Sequence, residues 1–354
     1  MTTGLPQSRW TRGALLLVVL AIVVAVLWWR GPEWSVVADV FGAVTWRWIV
    51  LALVLNLLSV VARAFAWQTV VAQALPEERI GFGRVFSAFG VGLLANAVLP
   101  ARTGELARVA VLTRRLPRGR GYTATLLGTV FTHRVFDVPA VLLLVVYVLL
   151  TAKIPHWAIT SLVIAAGVGV VLLGAALLGS RLRRPVLDGM HPVRRVLAMA
   201  RLGLDVLRSP LAAAVAIFFQ SIGWALQLVA VYTSMRGFGI HAPLPAAALV
   251  LLLMNVALIF PLWPGNVGLL QAAVALPLRQ YGVAYARGFA YGIGLQVIEM
   301  SVGVGVGLIF LAREGLSFAM LKRMEQERED VALEAVEDPE QPEQRRAQGQ
   351  MVSS

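Results

Sequence analysis

Residues 100–112 read PARTGELARVAVL, which sets Arg102, Glu105 and Arg108 at three-residue spacing between two long apolar runs. Residues three apart share a helix face, so two guanidiniums and a carboxylate project together. Pro100 and Gly104 break a helix at this point. A helix that restarts there presents unpaired N–H groups and the positive end of its dipole. Guanidiniums beside such an end make a site for a phosphate or carboxylate. The competing reading is that these charges only pair with one another. It is weakest for Arg102 and Arg108, where positive charge exceeds the acid at hand.

Other ionisable residues interrupt apolar runs. Arg63 lies in 48–71, Glu299 in 288–312, and His133, Arg134 and Asp137 share the stretch GTVFTHRVFD. A charge at mid-bilayer costs at least roughly 2.5–3.5 kcal/mol on insertion scales, so each is a functional candidate. His133 and Asp137 are four apart and Arg134 and Asp137 three apart, which predicts one crowded face. Purely structural ion pairs are the alternative: Arg134 with Asp137 or Glu105, and Arg63 with Glu299. A second break, Pro264-Gly265-Asn266 followed by Gly268, offers another helix start. Asn96, Asn255, Asn266 and Gln271 are neutral hydrogen-bonding groups near the two breaks, though single amides of this kind commonly join helices.

No metal or cofactor is expected. Cysteine is absent, His133 has no second histidine nearby, and no Walker loop or Ser/His/Asp order occurs in a polar segment. The run Gly303-Val-Gly305-Val-Gly307 lies inside an apolar stretch and reads as close helix packing, not as a nucleotide loop.

The elements that must carry these groups are membrane helices. Of 354 residues 58% are hydrophobic and 14% charged, against about 25% charged in a soluble domain, and the mean hydropathy is +0.77. Net charge is +12, yet residues 313–354 hold six basic against ten acidic residues. The basic excess therefore belongs to the membrane part and fits cytoplasmic anchoring on anionic headgroups, not nucleic acid. Full spans are expected at 14–29, 48–71, 122–150, 158–179, 211–235 and 288–312. The arginine-rich connections 113–120 and 181–209 place both ends of the chain in the cytoplasm. With those sides fixed, 85–112 and 244–278 must each return to the side they left. The expected fold is an all-α polytopic membrane protein with six full transmembrane helices and two oppositely oriented re-entrant hairpins. Residues 193–207 suit a helix lying on the inner leaflet or a solvated loop helix, and 319–354 form a charged, disordered cytoplasmic tail.

An offset of 164 residues maps Asn56 on Gln220, Pro100 on Pro264, Gly104 on Gly268, Leu112 on Leu276 and Gly128 on Gly292. Equivalent segments in opposite orientation make an inverted repeat, with the binding site at the repeat interface near the midplane.

The blocks PARTGELARVAVL, LLGTVFTHRVFDV, PGNVGLLQAAVAL and LAREGLS resemble the signature blocks of the lysylphosphatidylglycerol synthase transmembrane-region family, also called flippase-like proteins. The resemblance runs over about 14–318. Its most specific pattern is R-x-G-E-x-x-R, here Arg102, Gly104, Glu105 and Arg108, followed by Arg134 with Asp137 and by Pro264-Gly265 with Gly268. It implies a module that moves an aminoacylated phospholipid between leaflets in the best-known case, or a part in polyprenyl-linked glycan or hopanoid pathways. His133 and Gln271 stand where the family often has Glu. The aminoacyl-transfer domain of the full synthase is not seen, so lysyl transfer is not expected.

The expected function is translocation of an anionic phospholipid or polyprenyl-phosphate-type lipid across a bacterial cytoplasmic membrane. Arg102 and Arg108 would hold the phosphate, Glu105 would position Arg102 or Arg134, and Arg134 with Asp137 would gate the opposite half. Two alternatives stand beside it: a membrane-embedded transferase acting on a lipid carrier, and a non-catalytic partner of a lipid or glycan synthase. A homo-oligomer is compatible with each.

Overall fold

The computed structural model describes residues 32–98, 104–117, 122–181, 209–259 and 266–313. Outside them lie the expected first span 14–29, Pro100, Arg102, Pro264, Gly265, the 193–207 segment and the tail. Every regular element among the described residues is helical: α1 Trp34–Gly42, α2 Trp46–Ala74, α3 Phe82–Val98, α4 Gly104–Thr113, α5 Tyr122–Val135, α6 Asp137–Thr151, α7 His156–Arg181, α8 Pro210–Gly237, α9 Leu244–Ile259, α10 Leu269–Leu278 and α11 Tyr285–Arg313. A 3₁₀ turn, Arg279–Tyr281, joins α10 to α11.

Five stretches are long and apolar enough to cross a bilayer: Trp46–Ala74, Thr125–Thr151, His156–Ala175, Pro210–Gly237 and Tyr285–Arg313. They coincide with five of the six expected spans. Their outward faces are apolar, as lipid requires: Leu143, Leu150, Val171 and Leu211 are each about 70–80% exposed.

Thr125–Thr151 is not one straight helix. It breaks at Phe136 between α5 and α6, and the cause is local. Pro139 has no N–H for the carbonyl of Val135, and its ring crowds that carbonyl. The break falls among His133, Arg134 and Asp137, and the expected Arg134–Asp137 pair still forms across it.

The two short pairs fold back on themselves. In α3–α4, the Gly104 N–H donates to Asn96 Oδ1 at 2.9 Å. A Cβ at Gly104 would come within 2.0 Å of the Gly92 carbonyl and 2.5 Å of Asn96 Cγ. Only glycine lets the two arms approach this closely. In α9–α10, Asn266 adopts a left-handed φ of 46° and its amide donates to the Ala257 carbonyl at 3.3 Å. Gln271 Oε1 accepts the Gly268 N–H at 2.6 Å, closing the first turn of α10.

The helix bounds repeat at the offset read from the sequence. Adding 164 carries α2 onto α8, α3 onto α9, α4 onto α10 and α5–α6 onto α11, within a few residues at each end. The long helices α2 and α8 run antiparallel. The Thr45 N–H donates to the Gly237 carbonyl, Ser59 Oγ donates to the Gly223 carbonyl, Phe65 stacks on Phe219, and Val70 clusters with Ala212 and Ala216. As one chain advances its neighbour retreats, and at mid-length each faces its own repeat-mate. Helix α11 closes the bundle against α3, where a Cβ at Gly307 would come within 2.3 Å of Leu94 Cβ. That contact is the close packing expected of the glycine run.

Candidate functional site

Arg108 leaves α4 one turn after Gly104 and ends among aromatic rings. Its guanidinium carbon lies 4.7 Å from the Trp67 ring centre and 5.5 Å from that of Phe89. Ring faces attract a cation, but they accept no conventional hydrogen bond. The residue is 4% exposed, and its Nε and Nη2 have no hydrogen-bond partner among the described residues. His133 packs edge-on against the same Phe89 ring, 6.0 Å between centres. It is 2% exposed and its Nδ1 is also unpartnered. Buried polar groups are almost always hydrogen-bonded, and an unpaired buried cation is costlier still. Two such groups lie against one ring.

One residue along α5 from His133, Arg134 bridges two acids. Its Nη2 lies 2.5 Å from Glu105 Oε1 and its Nη1 lies 3.5 Å from Asp137 Oδ2. Both ion pairs offered by the sequence for Arg134 therefore form. The Arg134 and Glu105 side chains are 52% and 36% exposed, whereas that of Asp137 is 13% exposed. Asp137 Oδ1 accepts from the Trp224 indole N–H at 2.7 Å and from the Gln220 amide.

Trp224 links this group to a second one. Arg63 lies over the ring of the Trp224 indole, 5.0 Å from its centre, and its Nη2 donates to Gln227 Oε1. Gln227 Nε2 donates in turn to Glu299 Oε1 at 3.1 Å. The expected Arg63–Glu299 ion pair is not made; an amide stands between its two halves. Arg63 Nε has no partner. Arg63, Trp224 and Glu299 occupy the middle of α2, α8 and α11, the depth at which a bilayer is driest.

The amides divide between two jobs. Asn96 and Gln271 cap the starts of α4 and α10, Asn266 ties the second break to α9, and Asn255 donates to the Leu251 carbonyl of its own helix. Gln271 also donates to Gln296 at 2.7 Å. These side chains hold the hairpins in shape. Sequence reasoning missed Trp67, Phe89, Trp224 and Gln227. Trp67 and Trp224 are tryptophans buried in spans rather than at helix ends, and Gln227 is the repeat-mate of Arg63; those were the available signals. Among the described residues no cluster of metal-ligating side chains occurs.

A chain of several long apolar helices, some carrying an ionisable side chain at mid-length, is a multi-pass membrane protein. The chain belongs to the lysylphosphatidylglycerol synthase TM region family, whose model matches residues 14–307. No curated protein and no solved structure matches the chain.

Proposed function

We propose that this protein moves an anionic lipid between the leaflets of the cytoplasmic membrane, the headgroup binding at Arg108. The observation that carries the proposal is the Arg108 guanidinium, shut into the protein with two donors unmatched. A phosphate oxygen takes such donors in the geometry that guanidinium offers. His133 beside it adds a third polar group. Arg102, at the break before α4, is assigned to the same headgroup by the sequence pattern.

Two further features support the reading. The arms α4 and α10 are ten residues each, about 15 Å of helix, and a bilayer core needs about 30 Å. Each pair therefore enters and leaves on one side, so α4 begins inside the membrane. Arg134 and Glu105 are half-exposed within the bundle, and charges there require a wet crevice instead of lipid. That crevice gives the headgroup its route while the acyl tails stay in hydrocarbon.

The test uses vesicles of phosphatidylcholine carrying the purified protein and fluorescent phosphatidylglycerol. Leaflet exchange runs well above the rate of protein-free vesicles. Arg108→Gln lowers it roughly ten- to hundredfold, the worth of a hydrogen bond to a charged group, without lowering the melting temperature. Exchange of every anionic probe at the protein-free rate overturns the reading.

A further inference from the structure

Asp137 and Glu299 are both carboxylates within spans, and their surroundings differ. Asp137 receives an indole N–H, an amide and a guanidinium. Glu299 receives one neutral amide, that of Gln227. Helices packed on α11 bring little else to it. Helix α2 supplies Arg63, held off by Gln227, and α8 supplies Gln227 itself. Helix α3 carries Arg84 alone, fourteen residues before its other end, and α10 carries no ionisable residue. Asp39 of α1 belongs to a helix that meets α11 at Phe289, ten residues and about 15 Å from Glu299. On α11 itself, the Tyr291 hydroxyl donates to the Val231 carbonyl and pairs with Ser234.

The donor chemistry fixes how Gln227 must face. A guanidinium has only donors and a carboxylate only acceptors. So the amide oxygen turns to Arg63 and the amide nitrogen to Glu299, as observed. If Glu299 takes a proton, it gains an O–H donor and keeps a carbonyl acceptor. The acid and the Gln227 amide can then pair with each other, the amide N–H staying on the carbonyl and the new O–H taking the amide oxygen that Arg63 held. Arg63, whose Nε already lacks a partner among the described residues, is left with a free guanidinium as a second contact, beyond Arg108, for the lipid's anionic group.

We propose that Glu299 is a proton-binding site that frees Arg63 through Gln227, so that binding of the lipid's anionic group is accompanied by uptake of one proton. The inference rests on the reading of the protein as an anionic-lipid translocator and extends it to the coupling ion. Lipid and proton enter the site together; release of the proton from Glu299 restores the Gln227 bridge and expels the headgroup. Charge favours the pairing, because the bound anion replaces the carboxylate charge that the proton removes.

Two measurements separate this inference from the reading beneath it. In the vesicles, exchange of fluorescent phosphatidylglycerol rises as pH falls, by up to about tenfold per pH unit while Glu299 is ionised, the limit for one proton. Glu299→Gln, which presents a neutral donor and acceptor at all pH values, exchanges at the acid rate throughout. In detergent, adding short-chain phosphatidylglycerol produces a protonated-carboxyl band in infrared difference spectra, and Glu299→Gln lacks it. Leaflet exchange with no pH dependence and no such band overturns the coupling and leaves translocation standing. The band without leaflet exchange upholds proton-linked binding and overturns translocation. A band that persists in Glu299→Gln moves the proton to another carboxyl and overturns the assignment.

Discussion

The two halves of the bundle share one scaffold and divide the chemistry unequally. Residue by residue at the offset of 164, Arg108 faces Ala272, Glu105 faces Leu269, His133 faces Val297, Arg134 faces Ile298 and Asp137 faces Ser301. The first half holds nearly all the charge. The second supplies Gln220, Trp224 and Gln227, neutral groups that complete the hydrogen bonds of the first. Its one charged contribution to the network is Glu299. The backbone differs in step, since α5–α6 is broken at Phe136 and α11 runs unbroken through its equivalent, Met300. A duplicated fold needs the same helix lengths and close approaches twice. A bound anion needs its counter-charge once, and two charged halves would double the cost of burial.

If the halves share a scaffold but not its chemistry, changes to the breaks should hurt both and changes to charges only one. Gly104→Ala drives a Cβ into the Gly92 carbonyl, and the expected loss is about 3 kcal/mol, the upper part of the range for overpacking. Gly268→Ala fails for a different reason, its φ of 90°, and loses about 1–3 kcal/mol. Thermal melting in detergent compares the two, and a stable Gly104→Ala protein would show that the arms of α3–α4 are not in close contact. Asp137→Asn weakens three donated bonds and lowers stability by about 1.5–3 kcal/mol. Its repeat-mate change, Ser301→Ala, stays within about 0.5 kcal/mol, because Ser301 bonds only its own helix at the Val297 carbonyl. Equal losses at both positions would erase the division of labour. The smallest effect belongs to the caps: Asn96→Ala and Gln271→Ala each lose about 1 kcal/mol, Gln271 somewhat more because it also reaches Gln296.

Much of the scaffold was legible in the chain. Runs of about twenty apolar residues admit few structures in lipid other than helices, and the repeat at 164 follows from counting. The candidate site was legible only in part. Arg108, Glu105, Arg134 and Asp137 stood out because charge inside an apolar run is costly. So did the Arg134 pairs with Glu105 and Asp137, whereas the Arg63–Glu299 pair gave way to Gln227. Periodicity put His133 and Asp137 on one face; the structure gives His133 the Phe89 ring and Asp137 the Trp224 and Gln220 donors of α8. The Asn and Gln side chains read as ligand donors because composition carries no information on which backbone groups a break leaves unpaired.

By itself the sequence determined that the chain lives in a membrane, where it breaks, and which residues are too charged to be there by accident, since each of these depends on local solvation and local backbone limits. Only the tertiary structure decided that Arg108 lies unpaired on Trp67, that Trp224 joins Arg63 to Asp137, and that Gln227 keeps Arg63 from Glu299. Those relations join residues as many as 164 positions apart, and no local rule sets the rotation at which two packed helices meet.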